Sequence, residues 1–169
     1  MARPWVRLRG REDDFTALYR ENYEAVRSVL FRFQVLDLDD LVQEVFIKAY
    51  RNRGAFRGEA ASRTWLIRIA INAAKDHLKS SRASVKTIEL EPRHHGAERP
   101  DSGLADTIES CLGRLSAAHR DVLIVCAIEG YSMAEAAVIL DVVEGTVKSR
   151  LSAARLEMKE LLKREGVDP

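Results

Sequence analysis

The sequence predicts an all-α protein made of two small helical domains joined by a flexible linker. Three observations lead there. Apolar residues recur at spacings of three and four along most of the chain. A stretch from Ser84 to Gly103 holds Pro92, Gly96, Pro100 and Gly103 and keeps no apolar period. Residues 130–155, GYSMAEAAVILDVVEGTVKSRLSAAR, read as two short helices joined by a tight turn. The expected first domain is a three- or four-helix bundle, and the second a helix-turn-helix unit.

Helix one is expected over about 12–33, with Phe15, Leu18, Tyr19, Val26, Val29, Leu30 and Phe33 on one face. Asp37 or Asp39 caps a second helix whose apolar face is Leu38, Leu41, Val42, Val45, Phe46 and Ala49, ending near Gly54. Its outer face carries Asp40, Gln43, Glu44 and Lys48. After a loop from Gly54 to Ala61, a third helix runs from Ser62 to Arg82, about 30 Å long. Trp65 and Ile69 fall on its apolar stripe and read as core.

Beyond the linker, a helix over Leu104 to Leu115 precedes a Ser116-capped helix through Ile128. Gly130 supplies a left-handed stop, and Ser132 with Glu135 three residues on forms a capping box. Met133, Ala136, Ala137 and Leu140 then share one apolar stripe. Asp141 to Glu144 interrupts it, and Val147, Leu151, Ala154, Met158 and Leu161 restart it. The opposite face of this last helix carries Thr146, Lys148, Ser149, Ser152 and Arg155, with Arg150 on the flank. Small hydroxyls fit a groove, and cations reach phosphates or guanine edges. A DNA-reading helix fits this pattern, and so does a helical hairpin with a solvated basic face.

The 169 residues suffice for one domain or two small ones, and 46% hydrophobic with 31% charged excludes disorder throughout. The apolar stretches, such as Val122 to Ile128, are too short to span a membrane, and the Arg-rich N-terminus leads into no signal-peptide core. A cytoplasmic protein without membrane insertion is expected. Cys111 and Cys126 lie in apolar helical contexts that suit reduced thiols. The net charge of +1 conceals segregation. Between Lys48 and Arg82, nine cations less two carboxylates, Glu59 and Asp76, leave +7, while Asp37, Asp39, Asp40 and Glu44 cluster just upstream. Such asymmetry implies two partners, an anionic polymer and a surface that prefers carboxylates.

Three segments in order, DDLVQEVFIKAYR at 39–51, FRGEAASRTWLIRIAINAAKDHL at 56–78, and GYSMAEAAVIL with GTVKSR at 130–150, resemble the extracytoplasmic-function class of bacterial sigma factors. The resemblance covers both domains. It implies that residues 12–83 are region 2, which grips the clamp helices of core RNA polymerase and opens the −10 element. Residues 84–103 are then the linker. Residues 104–165 become region 4, which binds the −35 element and the polymerase flap.

On that resemblance Asp39, Asp40, Gln43, Glu44 and Lys48 form the core-binding set. The −10 set is Phe56, Arg57, Gly58, Asn72, Lys75, Lys79 and Arg82. Within it, cations hold phosphates, Asn72 reaches a base edge, and Gly58 lets backbone approach an unpaired base. Phe56 has two roles open, stacking on that base or plugging the bundle core. The −35 set is Ser132, Thr146, Lys148, Ser149, Arg150, Ser152 and Arg155. An anti-sigma factor that covers the polymerase-binding faces is a further expected partner.

The chain departs from the family pattern at four places. Ser62 stands where an aromatic is usual, Ile67 where a Tyr is frequent, Asp141 at the common turn glycine, and Ala153 where an Arg is frequent. Fewer aromatics for strand opening and a weaker −35 phosphate grip are the expected results. No HExxH, Walker loop, GxSxG or closely spaced Cys pair is present, so neither enzymatic activity nor a cofactor is expected. His94 and His95 lack ligand spacing, and no metal is expected. The rivals are a stand-alone helix-turn-helix regulator and a helical adaptor that never touches DNA.

Overall fold

The computed structural model describes residues 12–35, 37–56, 62–85 and 102–167. All regular structure among them is helical, and the chain clusters into two compact units, the first running to Ser80 and including Val138–Asp141, the second holding the rest. His94 and His95 lie outside the described residues, as does most of the expected linker.

The first unit begins with α1, Glu12–Arg32, whose buried side chains Leu18, Asn22, Val26, Val29 and Leu30 follow helical spacing, with Phe33 buried in the turn just beyond. Asn22 fills the gap in the apolar stripe. Its Nδ2 donates to the Leu18 carbonyl at 2.8 Å, satisfying one donor of an otherwise costly buried amide. The chain turns through Gln34 and Asp37, both left-handed at φ 53° and 55°. Asp37 precedes α2, Leu38–Arg51, as expected, yet its side chain makes no cap bond. Its carbonyl instead accepts the Leu41 N–H at 3.0 Å.

Leu41, Val42, Val45, Phe46 and Ala49 of α2 are buried and face α1. Aromatic edges tie the pair together: Phe15 meets Tyr50 at 5.0 Å between ring centroids, and Tyr19 meets Phe46 at 4.5 Å. A short 3-10 turn, Arg53–Ala55, leads to α3, Ser62–Val85, which continues three residues past the expected end. Its buried face is Leu66, Ile67, Ala70, Ile71 and Ala74, with Ser62 and Thr64 buried at its start. Truncating Leu66 to Ala would cost about 2–5 kcal/mol.

The second unit contains α4, Ser102–Arg114; α5, Ala117–Leu123; the part of α6, Met133–Leu140, up to Ala137; and α7, Glu144–Arg164. Ser116 caps α5 by accepting the His119 N–H at 3.3 Å. The helix does not run evenly to Ile128. Residues Ile124–Ile128 form a π-turn, closed by Glu129 N–H to the Ile124 carbonyl at 2.9 Å. Both α4 and α5 pack on α7, and Cys111, Leu112, Val122, Leu123, Val147, Leu151 and Ala154 are buried. His119 Nδ1 lies 2.5 Å from Glu157 Oε2, and Arg114 pairs with Glu165 at 2.6 Å, so two contacts fasten α7 along its length.

Candidate functional site

Three groups of side chains were expected to act. On α2, Asp39, Asp40, Gln43 and Glu44 are exposed and Lys48 is half-buried. Lys48 Nζ sits 2.6 Å from Glu44 Oε1, one turn away, so the lysine offsets a neighbouring carboxylate and the face stays acidic. Arg27 of α1 approaches Asp39 at 4.0 Å. An open cleft of about 430 Å³, lined by Arg27, Asp37, Leu38, Asp39 and Asp40, lies at the start of α2.

Ile47, 49% exposed, sits amid this polar face, one helical repeat from Asp40 and one turn from Gln43 and Glu44. Sequence reasoning passed over it. The signal was its position outside the buried stripe of Leu41, Val45 and Ala49, which left a large apolar side chain with no place in the core.

On the second group the outcome is divided. Arg57 and Gly58 lie outside the described residues, and nothing is described of the Arg82 side chain. Phe56 is half-buried and follows the 3-10 turn, its N–H donating to the Arg53 carbonyl at 3.3 Å. Its ring lies 5.2 Å from that of Trp65. Phe56 therefore neither plugs the core nor stands free, but leans on α3. The expectation that Trp65 and Ile69 belong to the core needs correction. Both are half-buried, because the helix turns Leu66, Ile67 and Ile71 inward instead. Trp65 shares its outward face with Arg68, Asn72 and Lys79, with Lys75 at the margin. Asn72 and Lys79 are exposed and Lys75 is half-buried. Ile67 is fully buried, so its branched side chain serves packing at the place of a frequent family tyrosine.

The third group surrounds the helix-turn-helix. Gly130 is left-handed at φ 74°. Ser132 and Glu135 close the expected capping box: Ser132 Oγ accepts the Glu135 N–H at 3.2 Å and donates to Glu135 Oε2 at 2.7 Å, and the same carboxylate accepts the Ser132 N–H at 2.9 Å. The Ser132 hydroxyl, an exposed member of the expected −35 set, caps α6 and donates its proton to Glu135.

The stripe expected on α6 also shifts: Ala136 and Ile139 are buried, whereas Met133 is exposed and Ala137 and Leu140 are half-buried. Asp141 adopts φ 57°, so it takes the left-handed turn conformation that a glycine would supply. On α7, Val147, Leu151, Ala154 and Leu161 are buried as expected, and Met158 is half-buried. Lys148, Ser149, Ser152 and Arg155 are exposed, and Thr146 and Arg150 half-buried. Ser149 Oγ donates to the Thr146 carbonyl at 3.1 Å. Nearby, burial pushes the Cys126 thiol up, and the Arg155 charge opposes that rise. Cys111 is fully buried, and both thiols are free.

Among the described residues no helix is long and apolar enough to cross a membrane, and no cluster of three or more metal-ligating side chains occurs. Residues 18–84 match the family Sigma-70 region 2, and residues 105–158 match Sigma-70, region 4. The chain is 38% identical over 127 residues to the ECF RNA polymerase sigma factor SigM of Mycobacterium tuberculosis, covering 75% of this chain and 64% of SigM. It thus spans under two thirds of that relative's length. It is 34% identical to the RNA polymerase sigma-H factor of Pseudomonas aeruginosa and 32% identical to the ECF RNA polymerase sigma-E factor of Escherichia coli, in each case over 87% of this chain and 85% of the relative. Two solved structures are similar at 25% identity: CnrH in complex with the cytosolic domain of CnrY, with TM-score 0.70 over 92% of this chain and 91% of that one, and the sigma factor RpoE of Bartonella quintana in complex with the anti-sigma factor NepR, with TM-score 0.72 over 89% and 98%.

Proposed function

Since the chain belongs to the ECF sigma factors, with sigma-70 regions 2 and 4 in order, we propose that it directs core RNA polymerase to its promoters. The protein is not an enzyme: synthesis of RNA belongs to the polymerase, and this chain selects the start and helps separate the strands. Residues 12–83 act as region 2, 84–103 as the tether and 104–165 as region 4. The observation that carries the reading is the presence in one chain of an acidic helix face on α2 and cation-bearing faces on α3 and α7.

In this reading the clamp helices of the polymerase dock on Asp39, Asp40, Gln43 and Glu44, around Ile47 as apolar centre, with Lys48 steadying Glu44. A small apolar contact ringed by charges is a common plan for a protein interface. The −10 element lies along α3. Lys75, Lys79, Arg57 and Arg82 hold phosphates, Asn72 meets a base edge, and the Phe56–Trp65 pair with Gly58 beside it receives an unstacked base. The −35 element lies on α7 against Thr146, Lys148, Ser149, Arg150, Ser152 and Arg155, while Ser132 holds the scaffold helix. The flap contacts region 4.

An anti-sigma factor holds this chain in check in the cytoplasm. Support comes from the two similar structures, each a complex, one of them with a protein named an anti-sigma factor. Run-off transcription with purified core polymerase on a promoter library, with and without this chain, tests the whole reading. Promoter-dependent transcripts that need the chain support it. Specific binding of the chain alone to a two-fold symmetric duplex, with no effect on initiation, would indicate a stand-alone regulator.

A further inference from the structure

Val143 is 73% exposed, more than any other large hydrophobic side chain among the described residues. It is not a loose end. It is the N-cap residue of α7, with φ −73° and ψ 150°, and its carbonyl accepts the Thr146 N–H at 2.9 Å and the Val147 N–H at 3.2 Å. Branching at Cβ further limits its rotamers. The side chain is therefore an apolar group held in a fixed place and left in water.

Its position is unusual on two counts. An N-cap favours Ser, Thr, Asp or Asn, whose oxygen satisfies an open N–H of the first turn, and Val143 makes no such bond. The residue also leads the helix whose outer side bears Lys148, Ser149 and Ser152, with Lys148 about 7.5 Å further along the axis. Gly145, two residues on, has open space around it, so no side chain there covers Val143 or keeps the helix end from a surface.

Recognition helices meet base edges with their N-terminal residues, and the thymine 5-methyl is the one apolar group that the bases of B-DNA present in the major groove. A charge pattern that draws α7 to a polyanion, with a bare valine at its leading tip, suits that methyl. We infer that Val143 is a specificity-determining residue of region 4, reading a thymine of the −35 element through its methyl group. The inference rests on the assignment of α7 as the −35-reading helix. It adds a residue outside the cationic and hydroxyl set, and it reads sequence where phosphate contacts do not.

The test begins by selecting promoters from a library randomised in the upstream element, using core polymerase with the full chain. Each thymine of the selected element is then replaced singly by deoxyuridine, which removes only the methyl. Initiation is measured with the parent chain and with Val143→Ala and Val143→Asn. At one thymine the parent should lose about fourfold, the worth of one buried methyl-sized group at ~0.8 kcal/mol. Both variants should be indifferent to deoxyuridine there and keep the parent's response elsewhere. Val143→Asn, which restores a capping side chain, should also melt no lower than the parent, separating loss of reading from loss of fold.

A selected element without thymine overturns the inference, as does an equal response of parent and variants at every thymine. A uniform loss across all templates points to a protein contact and also overturns it. If no upstream element is selected, the assignment of α7 itself fails, and the inference with it.

Discussion

Phe56 and Trp65 lie with ring centroids 5.2 Å apart and planes inclined at 48°, joining the turn after α2 to the first turns of α3. Such a pair contributes about 0.5–1.5 kcal/mol beyond its burial. Phe56→Ala and Trp65→Ala should each lower stability modestly, and the double variant should lose less than the sum. Both should reduce initiation on duplex promoters by tenfold or more and have a much smaller effect on templates already unpaired at the −10 element. Equal loss on both templates would assign the pair a purely structural role.

Asp40→Lys with Glu44→Lys should weaken binding to core polymerase at least tenfold while leaving both units folded. Exposed charges carry little stability, and the Glu44–Lys48 pair is worth only about 0.3–0.5 kcal/mol. Ile47→Ala should weaken binding without lowering the melting temperature, since half of its surface is already in water. A polymerase pull-down beside thermal melting measures both, and unchanged affinity in both variants removes α2 from the interface.

Lys148→Ala with Arg150→Ala should weaken −35 recognition and flatten its salt dependence. Each lost phosphate contact lowers the slope of log K against log salt by about 0.9. Footprinting across a salt series reads the change, and an unaltered slope means that neither cation touches a phosphate.

Ser132→Ala should cost about 1 kcal/mol of stability by opening the capping box. Compared at equal folded fraction, the variant should bind −35 DNA nearly as the parent does, because the hydroxyl's hydrogen bonds run to Glu135 in the helix cap. A clear loss of DNA affinity in the folded variant would show that Ser132 contacts the DNA.

Cys111 makes the second unit sensitive to alkali. Burial, reinforced by Glu165 and opposed by Arg114, holds its thiol above the ordinary 9.0. The folded chain therefore keeps this proton more tightly than the unfolded chain does. The resulting stabilisation is fully present below about pH 9 and is lost as pH rises through the raised folded value. Denaturant unfolding at neutral pH and above pH 10 should show a larger drop for the parent than for Cys111→Ala, and equal drops would remove Cys111 as the source.

Most helices could be read from the sequence because an amphipathic stripe with a capping residue is a local signal. Leu41 to Ala49 on α2 and Val147 to Leu161 on α7 are such stripes, and Gly130, Ser132, Glu135 and Ser116 mark helix ends by their own chemistry. Other features depend on what packs against them. The π-turn at Ile124–Ile128 has the same composition as a plain helical run. Asn22 interrupts an apolar stripe by residue type but not by burial. Trp65 lies at the boundary of the α3 stripe, where periodicity alone does not separate half-buried from buried. Charge segregation located two of the candidate surfaces, but it is blind to Ile47 and Val143. An exposed apolar side chain looks like a core residue until neighbouring elements are in place.

The wide turn at Ile124–Ile128 fits one more residue into the helix than an α-helical turn would hold. Removing Ala127 would take out that surplus residue and let the segment wind as ordinary α-helix, with the turns on either side close to their present register. Gly130, and with it the start of the helix-turn-helix, would then leave the helix in nearly the same direction. The wide turn thus works as an expansion joint, and a single-codon deletion there should leave both helical content and promoter choice almost unchanged.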